Sequence, residues 1–161
     1  MLIPFSSHPP PAVDVTAGTN FGNMTAQGGL AAAFDGNTTQ EYAQSAVRAT
    51  RPGYVGKTFP SPRRLEKMVA TSTSNAGFDS AGVSHIIQIR FYATTGAAPT
   101  DAYDGTLLAE ISNHDDVVRP ATLHLTSSDQ STHFEHAWCT IISQDPGDHT
   151  AVAEVVFFGW A

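Results

Sequence analysis

Charged side chains are scarce in this sequence. Asp, Glu, Lys and Arg make up 14% of the 161 residues, against roughly 25% in an average soluble domain. The 8 Lys and Arg are outnumbered by 15 Asp and Glu, which gives a formal net charge of −7. Nucleic-acid binding depends on basic side chains that neutralise phosphates, so we expect no nucleic-acid partner. The surface must instead be rich in hydroxyl, amide and small side chains, which suits neutral, hydroxyl-rich partners.

Cysteine is nearly absent, since Cys139 is the single copy and an intrachain disulfide is excluded. The residue lies in the run HAWCTIIS, where a small buried hydrophobe is the expected role. A reactive thiol would need partial exposure and an electropositive environment.

Long hydrophobic runs are also missing. No window approaches the ~20 apolar residues of a membrane span. The start, MLIPFSSHPPPAV, has neither the positive region nor the apolar stretch of a signal peptide. We therefore expect a soluble protein that is made in the cytoplasm, does not insert into membranes and has no export signal of its own.

Gly and Pro are present along the whole chain and separate short apolar segments about every ten residues, the rhythm of an all-β sandwich or barrel. The alternation in 84–96 predicts that Ile87, Ile89 and Phe91 face inward. The segments that we interpret as strands are 53–59, 63–71, 84–96, 105–112, 121–127, 132–143 and 151–161.

Two segments are less regular. In 63–71, Leu65 and Val69 are predicted to share a face with Lys67, so the alternation is imperfect. The best helix candidate is 39–50, which is three turns at most or no helix at all. Helix is therefore expected to be a minor component.

The chain divides into a short segment and one domain. Residues 1–14 contain Pro9-Pro10-Pro11 and form an extended Pro-rich N-terminal segment. This segment is either a disordered lead-in or an anchor peptide that docks onto another subunit, since polyproline is stiff before it binds. Residues 15–161 are expected to form a single β-sandwich domain.

Four motifs occur in an order that is informative about the fold. They are Ala33-Phe34-Asp35-Gly36, then Tyr54-Val55-Gly56 with Phe59 and Pro62, then Leu65-Glu66-Lys67-Met68-Val69, and finally Glu154-Val155-Val156-Phe157-Phe158-Gly159. This order resembles the discoidin or coagulation-factor C-domain family, which includes the family 32 carbohydrate-binding modules. The resemblance spans about residues 17 to 160. It implies an antiparallel jelly-roll β-sandwich of the galactose-binding-like type, without catalytic activity.

The resemblance also implies a structural calcium ion beside the Asp-Gly turn. Calcium takes six to eight oxygen ligands, and the positions that match the ligands of the family are Asp35, Asn37, Thr39, Gln40 and Glu154. Gln40 departs from the pattern, because the carbohydrate-binding modules usually carry Thr there. The alternative is a bare type I turn in which Asp35 caps backbone amides.

Sugar recognition would use loops at one end of the sandwich. The loop candidates are 17–29 and 71–85, where an exposed aromatic ring would lie beside amide and acid groups. Asn75 matches an Asn that contacts ligand in sugar-binding relatives, whereas the Arg of those relatives is missing, with Thr71 or Ser72 near its place. The candidate carbohydrate-binding residues are Phe21, Arg51, Asn75, Phe78 and Asp79.

Catalytic and zinc-binding patterns are not found. His133 and His136 lie three apart in a predicted strand, which places them on opposite faces. No nucleophile elbow is present. No pair of opposed carboxylates of the glycosidase type can be nominated. An enzyme is therefore not expected.

The sequence predicts a non-catalytic carbohydrate-binding module. Weak single sites call for many copies, so we expect display on a phage or on a gene-transfer-agent-like particle, anchored to another particle subunit through the N-terminal segment. The partner would be a cell-surface or capsular polysaccharide of the host. The alternative is a structural assembly or decoration domain in which Phe21, Tyr103 and Trp160 are protein contacts. Self-association into a homo-oligomer is left open.

Overall fold

The computed structural model describes residues 10–39, 41–45, 52–74, 77–79, 86–144 and 149–161. Almost all of its regular structure is strand, and the one helix is a single turn, which confirms the all-β expectation. The elements are β1 (Val13–Asp14), β2 (Thr19–Gly22), β3 (Ala26–Gln27), α1 (Gly29–Ala32), β4 (Ala43–Gln44), β5 (Gly53–Thr71), β6 (Ile86–Thr94), β7 (Thr106–Asp115), β8 (Thr122–Thr126), β9 (Phe134–Ser143), β10 (Ala151–Val152) and β11 (Glu154–Trp160).

The strands form two antiparallel layers that share the long strand β5. One layer has the order β2-β5-β9-β6-β7 and the other β1-β11-β5-β8. Strand β5 changes layers near Pro60 and Pro62, where its pairing with β9 is interrupted between Thr58 and Arg63. Proline cannot donate to a sheet ladder, so these residues suit a strand corner. A small third sheet, β10-β4-β3, lies beside the two layers.

The core lies between the two layers. Ile87, Ile89 and Phe91 are fully buried, as the alternation of this segment predicts. Phe157 from the opposite layer packs against Phe91, with ring centroids 5.9 Å apart. Burial of large apolar side chains from both layers is what holds the sandwich together.

The predicted face of Leu65 and Val69 is wrong. Leu65 is fully buried, whereas Val69 is only partly buried. Leu65 pairs with Gly159 and Lys67 pairs with Phe158, so Glu66 is an extra residue in β5. This β-bulge shifts the alternation by one residue, and it explains why the sequence pattern is imperfect here.

The helix candidate over 39–50 is also corrected in part. Ala43–Gln44 forms β4, which pairs with β10 and β3, while 46–50 lie outside the described residues. At the N-terminal side, Val13–Asp14 pairs with β11 and the Trp160 indole donates to the Pro10 carbonyl at 2.7 Å. Residues 1–9 lie outside the described part of the chain. No helix among the described residues has the length and apolar character needed to cross a membrane.

Candidate functional site

Aromatic side chains cluster on the outer face of the β2-β5-β9-β6-β7 layer. Tyr92 and Trp138 are stacked with ring centroids 5.6 Å apart. Phe21 of β2 meets Trp138 edge-on at 6.0 Å and lies 6.5 Å from Tyr54. Alternation places these rings on the solvent side of the layer, so something other than the core must cover them.

The connection between β6 and β7 provides that cover. Its Ala102 carbonyl accepts two hydrogen bonds from β9, from Trp138 Nε1 at 3.0 Å and from Thr140 Oγ1 at 2.8 Å. Gly105 lets the loop approach the indole, because a Cβ there would collide with the Trp138 ring. The loop is therefore fixed on the face of the layer.

A groove lies between this loop and the start of β5. Its volume is about 370 Å³, which is in the lower range of small-molecule sites. We call it the tyrosine groove, and it is lined by Asn23, Pro52, Tyr54, Thr100, Asp101, Ala102 and Tyr103. Tyr103 is 45% exposed, so part of its side chain is accessible to a ligand.

The polar groups of the groove differ in how far they are already used. Both polar atoms of the Asn23 side chain are already hydrogen-bonded. Its Oδ1 accepts from the Tyr54 amide at 2.8 Å, and its Nδ2 donates to the Pro52 carbonyl at 3.0 Å. Asp101 Oδ1 accepts from the Tyr103 amide at 2.7 Å. Thr100 donates through its amide and its hydroxyl to Asp104 Oδ2 at 3.2 and 3.1 Å. The other carboxylate oxygens of Asp101 and Asp104 have no hydrogen bond to a described residue and are free to accept from a ligand.

Burial and the nearby acids raise the pKa of both phenols of the groove. Burial raises the pKa of Tyr54, and the negative charges of Asp101 and Asp104 raise it further. Burial also raises the pKa of Tyr103, although Arg90 opposes this. Neutral phenol hydroxyls are both donors and acceptors.

Arg90 is a charged neighbour of the Tyr103 ring. Its guanidinium lies 5.7 Å from the Tyr103 ring centroid, while its Nε donates to Glu110 Oε2 at 2.6 Å. The charge of Arg90 is thus paired within the layer.

The end of the sandwich that carries the 77–79 turn, which we call the loop end, differs from the sequence prediction. Phe78 and Asp79 are fully buried, so the expected exposure of the Phe78 ring is wrong. The turn folds inward because the Asp116 carboxylate accepts from the Phe78 amide at 2.6 Å and from the Asp79 amide at 3.2 Å. Phe21 is partly buried in the aromatic cluster. Arg51 and Asn75 lie outside the described residues.

The Asp116 side chain is part of a buried charge cluster at that end. Arg119 Nη2 lies 3.9 Å from Asp116 and 4.0 Å from Asp79. Burial raises the pKa of Asp116, while its two amide donors and Arg119 lower it. The cluster ties the 77–79 turn to the loop after β7, which is a structural role.

The Asp-Gly turn lies beside the last strand, as the resemblance implies. The Gly36 amide donates to Glu154 Oε2 at 2.8 Å. Asp35 Oδ1 accepts from the Asn37 amide at 2.8 Å, and Asn37 Oδ1 accepts from the Thr39 amide at 2.9 Å. Gln40 lies outside the described residues. Burial, followed by the like charges of Asp35 and Asp14, raises the pKa of Glu154 to about 7.

Other side chains considered for chemistry are accounted for by packing. Burial raises the pKa of the fully buried Cys139 thiol to about 12, so the predicted role as a small hydrophobe is confirmed. His136 is bonded to Thr58 Oγ1 at 2.8 Å, whereas His133 is exposed. Within the described ranges, no group of three His, Cys, Asp or Glu is placed to hold a metal ion.

Comparison with solved structures agrees with this architecture. Chitosan-binding module 1 of a chitosanase/glucanase from Paenibacillus sp. IK-5 has a TM-score of 0.66 and 11% identity, covering 91% of this chain and 99% of that one. The family 32 module of NanJ from C. perfringens, solved with galactose, has a TM-score of 0.64 and 15% identity, covering 92% and 98%. This chain has the discoidin-like β-sandwich fold.

A third structure with the same sandwich is an F5/8 type C domain from Bacteroides fragilis, with a TM-score of 0.64 and 11% identity over 93% of this chain and 96% of that one. No family model matches the sequence, and no curated protein sequence matches it. At these identities the likeness establishes the fold alone.

Sequence reasoning missed most of the tyrosine groove. The sequence indicates Tyr54 only as part of a strand motif and Tyr103 only as a protein contact. The signal was the loop PTDAYDG, in which a Tyr lies between two Asp residues. Nothing local indicates that this loop folds across the sheet towards Asn23 and Tyr54.

Proposed function

We propose that this protein is a non-catalytic carbohydrate-binding module that holds a saccharide in the tyrosine groove. The observation that carries the proposal is the exposed Tyr103 ring beside the free carboxylate oxygen of Asp101. An aromatic ring offers an apolar face to the C–H face of a sugar, while acceptors at its edge suit hydroxyl groups. The structures with the same sandwich that are described as chitosan-binding and galactose-bound support this choice.

The rigidity of the groove supports the same function. Two hydrogen bonds to the Ala102 carbonyl fix the loop, and the Asn23 side chain fixes the start of β5. A preformed site loses little entropy when a ligand binds. The groove is nevertheless small and open, so single-site affinity is weak.

The test is binding of multivalently displayed protein to a glycan array that includes bacterial capsular polysaccharides. Tyr103→Ala should weaken binding to the best glycan at least about tenfold, as expected for loss of an aromatic anchor. The matched control is Val118→Ala, since Val118 is 73% exposed at the loop end of the sandwich. Equal binding by Tyr103→Ala and the parent protein, with both folded, would contradict the proposal.

The proposed setting is a phage-like particle that carries many copies and attaches them to a host polysaccharide. Multivalency converts weak sites into firm adhesion, and the N-terminal segment would join each copy to another particle subunit. Deletion of 1–9 should abolish incorporation into particles while leaving glycan binding intact. Loss of assembly on mutation of Tyr103, with glycan binding unchanged, would favour the alternative role as a decoration domain.

A structural calcium ion at the Asp-Gly turn is part of the same proposal. The carboxylates of Asp35 and Glu154 repel each other, which a cation between them would relieve. Asp35 Oδ1 and the Asn37 side-chain oxygen are used within the turn. The ligands on offer are therefore Asp35 Oδ2 and Glu154 Oε1, completed by carbonyl oxygens.

A further inference from the structure

We propose that the saccharide taken by the tyrosine groove carries a protonated amino group, as in an oligomer of glucosamine. This inference rests on the proposed function and narrows its ligand class. It follows from the charges of the described residues around the groove, where Asp101 lines the groove and the nearby Arg90 is paired with Glu110.

Two acids belong to the loop that forms one wall of the groove. Asp101 lines the groove, and Asp104 is joined to the groove residue Thr100 by two hydrogen bonds to one carboxylate oxygen. Both carboxylates also raise the pKa of Tyr54, another residue that lines the groove. Each retains one oxygen without a hydrogen bond to a described residue.

No described residue that lines the groove is basic. The Arg90 guanidinium lies 5.7 Å from the Tyr103 ring centroid, and it donates to Glu110 at 2.6 Å and to the Tyr92 hydroxyl at 3.3 Å. An anionic sugar would therefore meet the Asp101 carboxylate with no basic side chain among the described lining residues to offset it. A uronic acid is disfavoured for this reason.

An ammonium group on the sugar finds two kinds of partner in the groove. A carboxylate accepts charge-assisted hydrogen bonds from it, and the face of a tyrosine ring attracts a cation. A neutral sugar gains only the apolar contact and ordinary hydrogen bonds. The groove thus distinguishes an amine from its N-acetyl form by charge rather than by shape.

The experiment is calorimetric titration at pH 6 and low salt with three oligosaccharides of equal length. These are a glucosamine oligomer, its N-acetylated counterpart and a uronate oligomer. We expect the glucosamine oligomer to bind roughly 5- to 10-fold more tightly than the N-acetylated one, the scale of one charge pair near a protein surface. The uronate should bind most weakly, and added salt should reduce the preference.

The variants separate this groove from general attraction to an acidic protein. Asp101→Asn and Asp104→Asn together should bring the glucosamine oligomer to the affinity of the N-acetylated one. Glu66→Gln, which removes one charge from the opposite layer, should leave the preference intact. If Glu66→Gln lowers the preference as much as the groove variants do, the proposal is overturned.

Two further outcomes would each overturn the charge preference, and they differ in what they mean for the carbohydrate-binding function. Equal affinity for the amine and its acetylated form, with loss of both in Tyr103→Ala, overturns the charge preference and leaves the carbohydrate-binding function in place. Binding that Tyr103→Ala does not change in any of the three titrations overturns both proposals.

Discussion

The Trp138 indole nitrogen lies 3.0 Å from the Ala102 carbonyl oxygen, and this bond joins β9 to the loop that forms one wall of the tyrosine groove. The same oxygen accepts from Thr140 Oγ1 at 2.8 Å. All of these atoms are buried, so the two donors lose their water when the chain folds and must find this acceptor.

Removing these donors should loosen the wall of the groove. Thr140→Val keeps the volume and removes one donor, and we expect a loss of about 1 kcal/mol in the free energy of unfolding. Trp138→Phe removes the other donor together with part of the stacking on Tyr92, and we expect a loss of about 2–4 kcal/mol in the free energy of unfolding. Urea unfolding measures both. Saccharide affinity should fall in parallel, and unchanged affinity in the two folded variants would show that the loop position does not matter for binding.

At the loop end of the sandwich, substitution of Asp116 should lower the free energy of unfolding the most. Asp116→Ala leaves the buried amides of Phe78 and Asp79 without an acceptor, at a cost of about 2–4 kcal/mol in unfolding free energy. The neighbouring Val117, which is 57% exposed, provides the control. Val117→Ala should change stability by less than about 0.5 kcal/mol. Similar values for the two variants would mean that Asp116 does not hold the turn in solution.

The strands were predictable because alternation is a local signal. Ile87, Ile89 and Phe91 point inward in a continuous strand, and no distant contact is needed to infer this. The bulge at Glu66 breaks that signal, because the extra residue is defined by its partner strand. A periodic pattern alone therefore gives the wrong face for Val69.

The candidate site was far less predictable. The burial of Phe78 depends on Asp116, which lies 38 residues further along the chain, and a sequence pattern does not report such a contact. The tyrosine groove joins Asn23, Tyr54 and Tyr103, which belong to three separate segments. The position of Asp35 beside Glu154 was anticipated, since the resemblance supplied a long-range pairing that alternation does not contain.

Glu154 should make stability depend on pH. Its pKa in the folded protein is about 7, above the ordinary value of 4.5, so the folded state binds the proton more tightly than the unfolded state. The stabilisation is then complete below about pH 4.5 and is lost as pH rises to about 7 and above. Glu154→Gln resembles the protonated form and can still accept from the Gly36 amide. In buffer with a chelator, the variant should match the parent at pH 4.5 and exceed it at pH 8 by on the order of 1–3 kcal/mol. Equal stability at both pH values would mean that Glu154 is not perturbed.

Calcium should raise the melting temperature if it binds at the Asp-Gly turn. A ligand that binds only the folded state stabilises in proportion to the logarithm of its concentration over Kd, so at 100 times Kd the gain is about 2.7 kcal/mol. The measurement is a thermal melt at pH 7.5 with millimolar calcium or with a chelator. Asp35→Asn and Glu154→Gln should each remove the shift, because each withdraws a charged oxygen ligand. Glu66→Gln should keep it, since this carboxylate lies away from the turn. A shift of zero in the parent protein would leave the turn as a hydrogen-bonded Asx turn without metal.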